Sequence, residues 1–408
     1  MKRHTDARVL MVALGLAPFI MVLGNSMFIP ILPDMQRELL LTTVETGFIL
    51  SAFSIPAALF IPLSGALSER FGRKKIGMIA LLLILVGSFF ATIAAISLPL
   101  QWQFPMIIVG RILQGIGAGG ITPVAMILAS ELFIGQKRNE ALGMLEVFNG
   151  LGKVISPIIG GILAMASWHF GFVIYFAVTL FSLAGILFFV KEQKREKAAF
   201  DWRSYVLDGV ITFRYNWTWL LPIYMMGGVG MFLLFGFLFY LSYTIESVFP
   251  FSTVLKGGMI ALPLAALMVA SFWTSRTVKP AISSFQKRML FGGFGMFFSA
   301  ALLPATNDIV AFFCLLMVLA VGLGVFLPAA SGALAASSRS NERSIVMSIY
   351  AMVRFLGVAL GPVAFGVWME DKLQSMFFAF FTVGVSTVVM MILWARIPFF
   401  KCEEAKML

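Results

Sequence analysis

Cysteine is nearly missing from this sequence. Cys314 sits inside an apolar run and Cys402 in the C-terminal tail, so no disulfide framework holds the fold together. Histidine is as rare: His4 and His169 stand apart, and no cluster of His, Cys, Asp and Glu has the spacing of metal ligands. Neither a metal nor an organic cofactor is expected. Charge is scarce, at 12% of residues against about a quarter in an ordinary soluble domain. Acidic charge is scarcer than basic, 19 residues against 30. No ATP-binding signature occurs, which excludes nucleotide hydrolysis as a source of work. A cleavable signal peptide is not expected either, because the first apolar run, 9–32, is too long and offers no small-residue cleavage site.

What fills the chain is apolar: 60% of residues are hydrophobic, well above the soluble norm, so an integral membrane protein is expected. A net charge of +11 raises the question of nucleic acid, and its distribution answers it. Counting by expected topology, 24 Lys and Arg fall in the termini and the loops of one side, 3 on the other side (Arg37, Lys256, Lys372) and 3 inside spans (Arg111, Lys153, Arg354). This is the positive-inside bias of a polytopic protein with both termini in the cytoplasm. The basic surplus records topology and contact with anionic lipid, not nucleic acid.

Apolar runs fall at 9–32, 43–66, 76–98, 105–130, 140–166, 170–190, 217–245, 254–275, 287–305, 309–336, 344–368 and 374–395. Each approaches the roughly 20 residues that a membrane-spanning helix needs, giving twelve spans. The long basic connection 191–216 cuts them six and six, with a short amphipathic helix expected at about 202–211. The expected organisation is a six-helix bundle over 1–190, a cytoplasmic linker over 191–216 and a second six-helix bundle over 217–408.

The halves repeat. A shift of 205 residues lays Gly117, Gly119 and Pro123 of span four on Gly322, Gly324 and Pro328 of span ten. The same shift lays Gly152, Pro157 and Gly161 of span five on Gly357, Pro362 and Gly366 of span eleven, while Gly160 falls opposite Phe365. Duplicated halves place a substrate site near the midplane between them.

Three motifs sharpen the reading. Gly65-Ala-Leu-Ser-Glu-Arg-Phe-Gly-Arg-Lys-Lys75 is a basic, glycine-punctuated loop between spans two and three. It resembles the loop signature of major facilitator superfamily transporters, Gly-x-Leu-x-Asp-Arg-x-Gly-Arg-Lys, with Glu69 where that family has Asp. Arg111-Ile-Leu-Gln-Gly-Ile-Gly in span four resembles the family's Arg-x-x-Gln-Gly-x-Gly. Span five carries Gly143, Gly152, Ser156, Pro157, Gly160 and Gly161. These resemble the signature of the drug:proton antiporter branch, Gly-x8-Gly-x3-Gly-Pro-x2-Gly, with Ser156 in place of a glycine. The resemblance implies an all-α membrane fold of two pseudo-symmetric six-helix bundles, and export by antiport. For Arg111 it implies a part in proton coupling; the alternative is a structural arginine bonded to backbone carbonyls, since arginine inside hydrocarbon must find partners.

Span five also carries Glu146, Asn149 and Lys153, whose spacing puts them on one helix face. Glu146 is the one acidic residue placed well inside a span, and a carboxylate in a low-dielectric cavity suits a proton carrier. The alternative is a static pair with Lys153, about 10 Å away along the helix. Arg354 of span eleven aligns with Asn149. Three span cations against one anion are costly to bury, which favours an anionic or zwitterionic substrate as much as the lipophilic cations usual in this branch. Asn25 in span one, with Asn149, Lys153, Arg354 and the aromatic trio Phe235, Phe239 and Tyr240, forms the expected substrate cavity. Gly65, Glu69, Arg70, Gly72 and Arg73 form the expected cytoplasmic gate, with Arg343 at the start of span eleven as partner of Glu69.

The sequence thus reads as a monomeric, multi-pass transporter of the cell (inner) membrane, not an enzyme, exchanging protons for small amphiphilic compounds such as drugs. The alternative is a dedicated exporter of an anionic metabolite, siderophore or lipid-linked intermediate.

Overall fold

A computed structural model describes residues 7–190, 202–248, 253–278, 282–303, 306, 308–338, 342–368 and 384–387. Among these, the chain is helical throughout. In order it forms α1 (Ala7–Ser26), a 3-10 turn (Ile29–Ile31), α2 (Leu32–Leu39), α3 (Thr43–Phe71), α4 (Arg73–Ser97), α5 (Leu100–Leu132), α6 (Gln136–Ala164) and α7 (Phe170–Phe189). There follow α8 (Trp202–Val248), α9 (Thr253–Thr277), α10 (Ile282–Leu302), α11 (Ile309–Ser337) and α12 (Arg343–Trp368). Ten segments among the described residues are long and apolar enough to cross a membrane. The helix α10 stands where span nine is expected. The expected span twelve, 374–395, lies outside the described residues except for 384–387, as does Lys372.

Two boundaries depart from the sequence reading. Span one does not stop at residue 32: the chain passes through the 3-10 turn and continues as helix to Leu39. Pro30 and Pro33 each sit at the first turn of their segments, where a missing N–H costs nothing. Leu40 then ends α2 in the left-handed region, at φ 54°. Thr42 opens α3 with a reciprocal capping box to Glu45. The second departure is at α8, one helix of 47 residues that absorbs both the expected short amphipathic helix and span seven.

The chain divides into two compact units, residues 1–200 with 238–262, and residues 201–237 with 263–408. In the first, α5 lies against α3 and α4, α1 against α6, and α7 against α4 and α1. In the second, α10 packs on α11, and α11 on α12.

Glycine sets these contacts, as expected where helices must approach without a hydrophobic driving force. A Cβ on Gly117 would meet the Ala80 carbonyl of α4 at 2.3 Å, and one on Gly119 the Ala57 carbonyl of α3 at 2.2 Å. Their repeat mates do the same in the second unit. Gly322 faces the Gly292 carbonyl of α10 at 2.8 Å, and Gly324 the Leu267 carbonyl of α9 at 2.6 Å. Gly152 faces Val22 of α1, and Gly357 faces the Gly228 carbonyl of α8 at 2.1 Å. The repeat is therefore a repeat of helix contacts as well as of letters.

Candidate functional site

Arg111 is fully buried on α5. Its guanidinium lies between the rings of Phe28 and Phe53, 4.7 and 4.6 Å from their centroids. It donates to the carbonyls of Gly24 (2.6 Å) and Ile49 (3.0 Å) and to Gln114 Oε1 (3.0 Å). Gln114 in turn donates to Ser88 Oγ at 3.1 Å. Arg111 thus ties α5 to α1 and α3, and Gln114 extends the network to α4. The planar fork of arginine suits this, since lysine offers a single point of donation. Each of these contacts belongs to the structural alternative for Arg111: its partners are carbonyls, an amide and π faces.

Span five, now α6, divides its signature between two neighbours. A Cβ on Gly160 would meet the Met27 carbonyl at 2.1 Å, on the α1 side. One on Gly161 would meet the Thr253 carbonyl of α9 at 2.5 Å, and Gly257 of α9 faces the Pro157 carbonyl at 2.5 Å. Ser156 is fully buried. Gly143 has nothing within 4 Å and packs on no neighbour. On the helix wheel, Glu146 and Lys153 fall in the narrow sector between the face packed on α1 (Phe148, Gly152, Gly160) and the face packed on α9 (Pro157, Gly161), while Asn149 falls within the α1 face. Glu146 is exposed, whereas Asn149 and Lys153 are half-buried. The expected enclosure of Glu146 is thus corrected: its carboxylate is open because neither neighbour covers this sector at its level.

The other expected cavity residues belong to both units, Asn25, Phe239 and Tyr240 to the first, Arg354 and Phe235 to the second. Asn25 is buried and donates to Ser54 Oγ at 3.1 Å. Arg354 of α12 is half-buried, its guanidinium 5.4 Å from the Tyr350 ring. Phe235 and Phe239 are buried, and Phe239 packs on Tyr243 with centroids 5.0 Å apart. Phe239 is therefore packing rather than lining, a second correction; its neighbour Tyr240 is half-buried.

In the basic loop the organising residue is Arg73. It pairs with Glu69 at 3.3 Å and with Glu131, at the end of α5, at 3.4 Å. It also donates to Ser68 Oγ at 2.8 Å and to the Gly65 carbonyl at 3.4 Å. Glu69 is thus paired inside its own loop, while Arg343, expected as its partner, opens α12 in the other unit. Arg70 lies over Phe71, 5.3 Å from its centroid. Gly72, at φ 102°, makes the turn into α4 in a conformation that only glycine adopts freely. Glu131 escaped the sequence reading because it sits outside the loop motif. Its one signal is an acidic residue at the basic end of span four.

The sequence profile described as Major Facilitator Superfamily matches residues 14–285. The chain belongs to the major facilitator superfamily. It is a multi-pass membrane transporter, not an enzyme. It is 34% identical over 362 residues to the bacillibactin exporter of Bacillus subtilis (strain 168), a match covering 88% of this chain and 90% of that protein. Its likeness to multidrug resistance protein 3 of the same organism is 27% over 212 residues, 49% of this chain and 39% of that one. Among solved structures, a D-xylose-proton symporter superimposes with a TM-score of 0.75 over 97% of this chain and 98% of its own, at 13% identity, which is a likeness of fold.

Two buried charges were missed by the sequence reading. Lys256, counted among the loop cations, is fully buried in the first turn of α9 and paired with Glu246 of α8. Glu246 also accepts from Arg37 Nη1 at 2.5 Å, and Arg37 pairs with Asp34. Asp34 and Glu246 lie one or two residues beyond runs drawn as ending at 32 and 245, and for that reason were set outside the spans.

Proposed function

We propose that this transporter is a proton-driven exporter of an anionic amphiphile of the siderophore class, working by alternating access. The observation that carries this reading is the extent of likeness to the bacillibactin exporter. It runs through nearly the whole of both chains, whereas the likeness to multidrug resistance protein 3 covers less than half of this one. The chemistry agrees with it: Arg354 is a half-buried cation on the spanning helix α12, which an anionic substrate neutralises and a lipophilic cation does not. Glu146 is exposed on α6, and since a carboxylate bare in hydrocarbon is expensive it belongs on a water-filled route, where it takes up a proton outside as substrate leaves and gives it up inside. The small-residue contacts of Gly160 and Gly161 are those that the antiporter signature calls for.

The multidrug relatives and the span-five signature favour a second reading, export of toxic lipophilic compounds. Inside-out vesicles with an imposed pH gradient separate the two. The proposal predicts accumulation of bacillibactin and none of ethidium, with Arg354→Gln raising KM for bacillibactin at least about tenfold, as loss of a hydrogen bond to a charged group implies. Accumulation of ethidium without bacillibactin replaces this reading with the second.

A further inference from the structure

Tyr350 and Arg354 stand one turn apart on α12, and each holds a buried donor that no hydrogen bond uses. Tyr350 is fully buried. Its hydroxyl has no hydrogen-bond partner among the described residues, and neither has Nε of Arg354. The two side chains meet. Arg354 leans back along α12, as long helical side chains do, and its guanidinium lies 5.4 Å from the centre of the Tyr350 ring. Both belong to the second compact unit, as does the stretch of α8 that packs against them. There Tyr224 stacks on Tyr350 with centroids 5.9 Å apart, and Phe213 stacks on Tyr224 at 6.4 Å. The two phenols end differently. Tyr224 donates to the Val346 carbonyl at 2.9 Å. The Tyr350 hydroxyl ends beside Gly227 of α8, 2.9 Å from where a Cβ there would stand.

Packing does not call for that hydroxyl. The 205-residue shift lays Leu145 on Tyr350, and Leu145 fills its place on α6 as a buried apolar side chain. The same shift lays Asn149 on Arg354. The second unit thus carries a phenol and a cation where the first has an alkyl group and an amide. A buried hydroxyl without an acceptor is destabilising, and phenylalanine would fill nearly the same volume without that cost. What both donors lack is the same thing, an acceptor. The helix α12 contains no acidic residue, and the facing residues 224–228 of α8 are uncharged.

We propose that Tyr350 and Arg354 form a two-point site for an oxyanion of the exported compound, a carboxylate or phenolate oxygen that accepts from both. This rests on the reading of Arg354 as the cation for an anionic cargo, and adds to it a second donor that selects. A hydrogen bond to a charged acceptor is roughly twice as strong as one to a neutral acceptor. The hydroxyl therefore favours anions over neutral compounds of equal shape. Arg354 is half-buried and Tyr350 lies beneath it, so an anion reaches the guanidinium first and the hydroxyl second.

Binding of radiolabelled salicylate to the purified full chain tests this without any transport. The protein is held in phosphatidylcholine nanodiscs, which leave no anionic lipid to fill the site. Salicylate has a carboxylate beside a phenol, and salicylamide has nearly the same shape without the charge. The parent is expected to bind salicylate and not salicylamide. Y350F removes one oxygen and keeps the ring. It is expected to weaken salicylate binding about tenfold or more, as loss of a hydrogen bond to a charged group implies. Its melting temperature is expected to equal or exceed the parent's, because no bond within the protein is lost. Y224F is the control: it loses the bond to Val346, so it melts lower while its salicylate affinity stays. In the R354Q background Y350F is expected to add little, since the two donors serve one acceptor. Parent affinity in Y350F, a Y350F protein that melts below the parent, or a parent that binds both compounds alike or neither, overturns the proposal. Bacillibactin accumulation by the parent keeps the cargo separate. Salicylate binding weakened by Y350F, with no bacillibactin moved, would retain the site and overturn the cargo.

Discussion

Arginine 111 carries more of the first unit than its place in a seven-residue motif suggests. Its fork reaches two carbonyls and an amide on separate helices while its faces rest on two phenyl rings. Truncation leaves buried acceptors without donors, which costs about 1–3 kcal/mol for each. Arg111→Ala is expected to fall below the stability needed for folding. Arg111→Lys is expected to fold with a lower melting temperature, because one ammonium cannot span the same acceptors. Thermal unfolding of detergent-purified variants reads both. An Arg111→Lys protein as stable as the parent would take the residue out of its structural role. The motif itself was legible in the sequence, and so was the need for partners. Which partners was not, since Phe28, Ile49, Gly24 and Gln114 converge only once α1, α3 and α5 are packed.

At the scale of elements, the sequence carried most where contacts repeat. One offset relates Gly117 to Gly322, Gly119 to Gly324 and Gly152 to Gly357, and each pair meets the corresponding neighbour helix in its own unit. The mismatch of Gly160 with Phe365 has a physical reason as well. In the second unit the Phe365 ring fills the space at Gly236 of α8, with only 2.3 Å left for a Cβ there. In the first unit the small residue is on α6, facing Met27. Small and large have traded helices across one interface. Gly160→Ala is therefore expected to collapse transport and stability together, whereas Gly143→Ala, with nothing within 4 Å, is expected to leave both near the parent values. Equal effects in a paired transport and melting assay would mean that the signature acts by something other than packing. Ends of elements were less legible. The apolar run drawn as ending at residue 32 stopped where the chain only tightens into a 3-10 turn before α2. That error hid Asp34 and Arg37, and an apolar run closed at 245 hid Glu246.

For the whole molecule, class and family follow from composition and three local signatures. The site is less legible because a transport site is assembled from residues far apart in the chain. The spacing of Glu146, Asn149 and Lys153 placed them on one face of α6, and the structure adds that Glu146 and Lys153 lie between two packed faces while Asn149 lies within the one packed on α1. What the sequence had no means of giving is the exposure of Glu146, which depends on how far α1 and α9 extend along α6. The central claim is that this open carboxylate exchanges protons for substrate. Its most direct test is substrate-induced proton movement in inside-out vesicles whose interior has been acidified, comparing the parent with Glu146→Gln and using bacillibactin as the probe. The account predicts that bacillibactin dissipates the gradient through the parent and leaves it intact with Glu146→Gln, although the variant still binds the compound. A gradient dissipated equally by both proteins would contradict it and move the proton site away from α6.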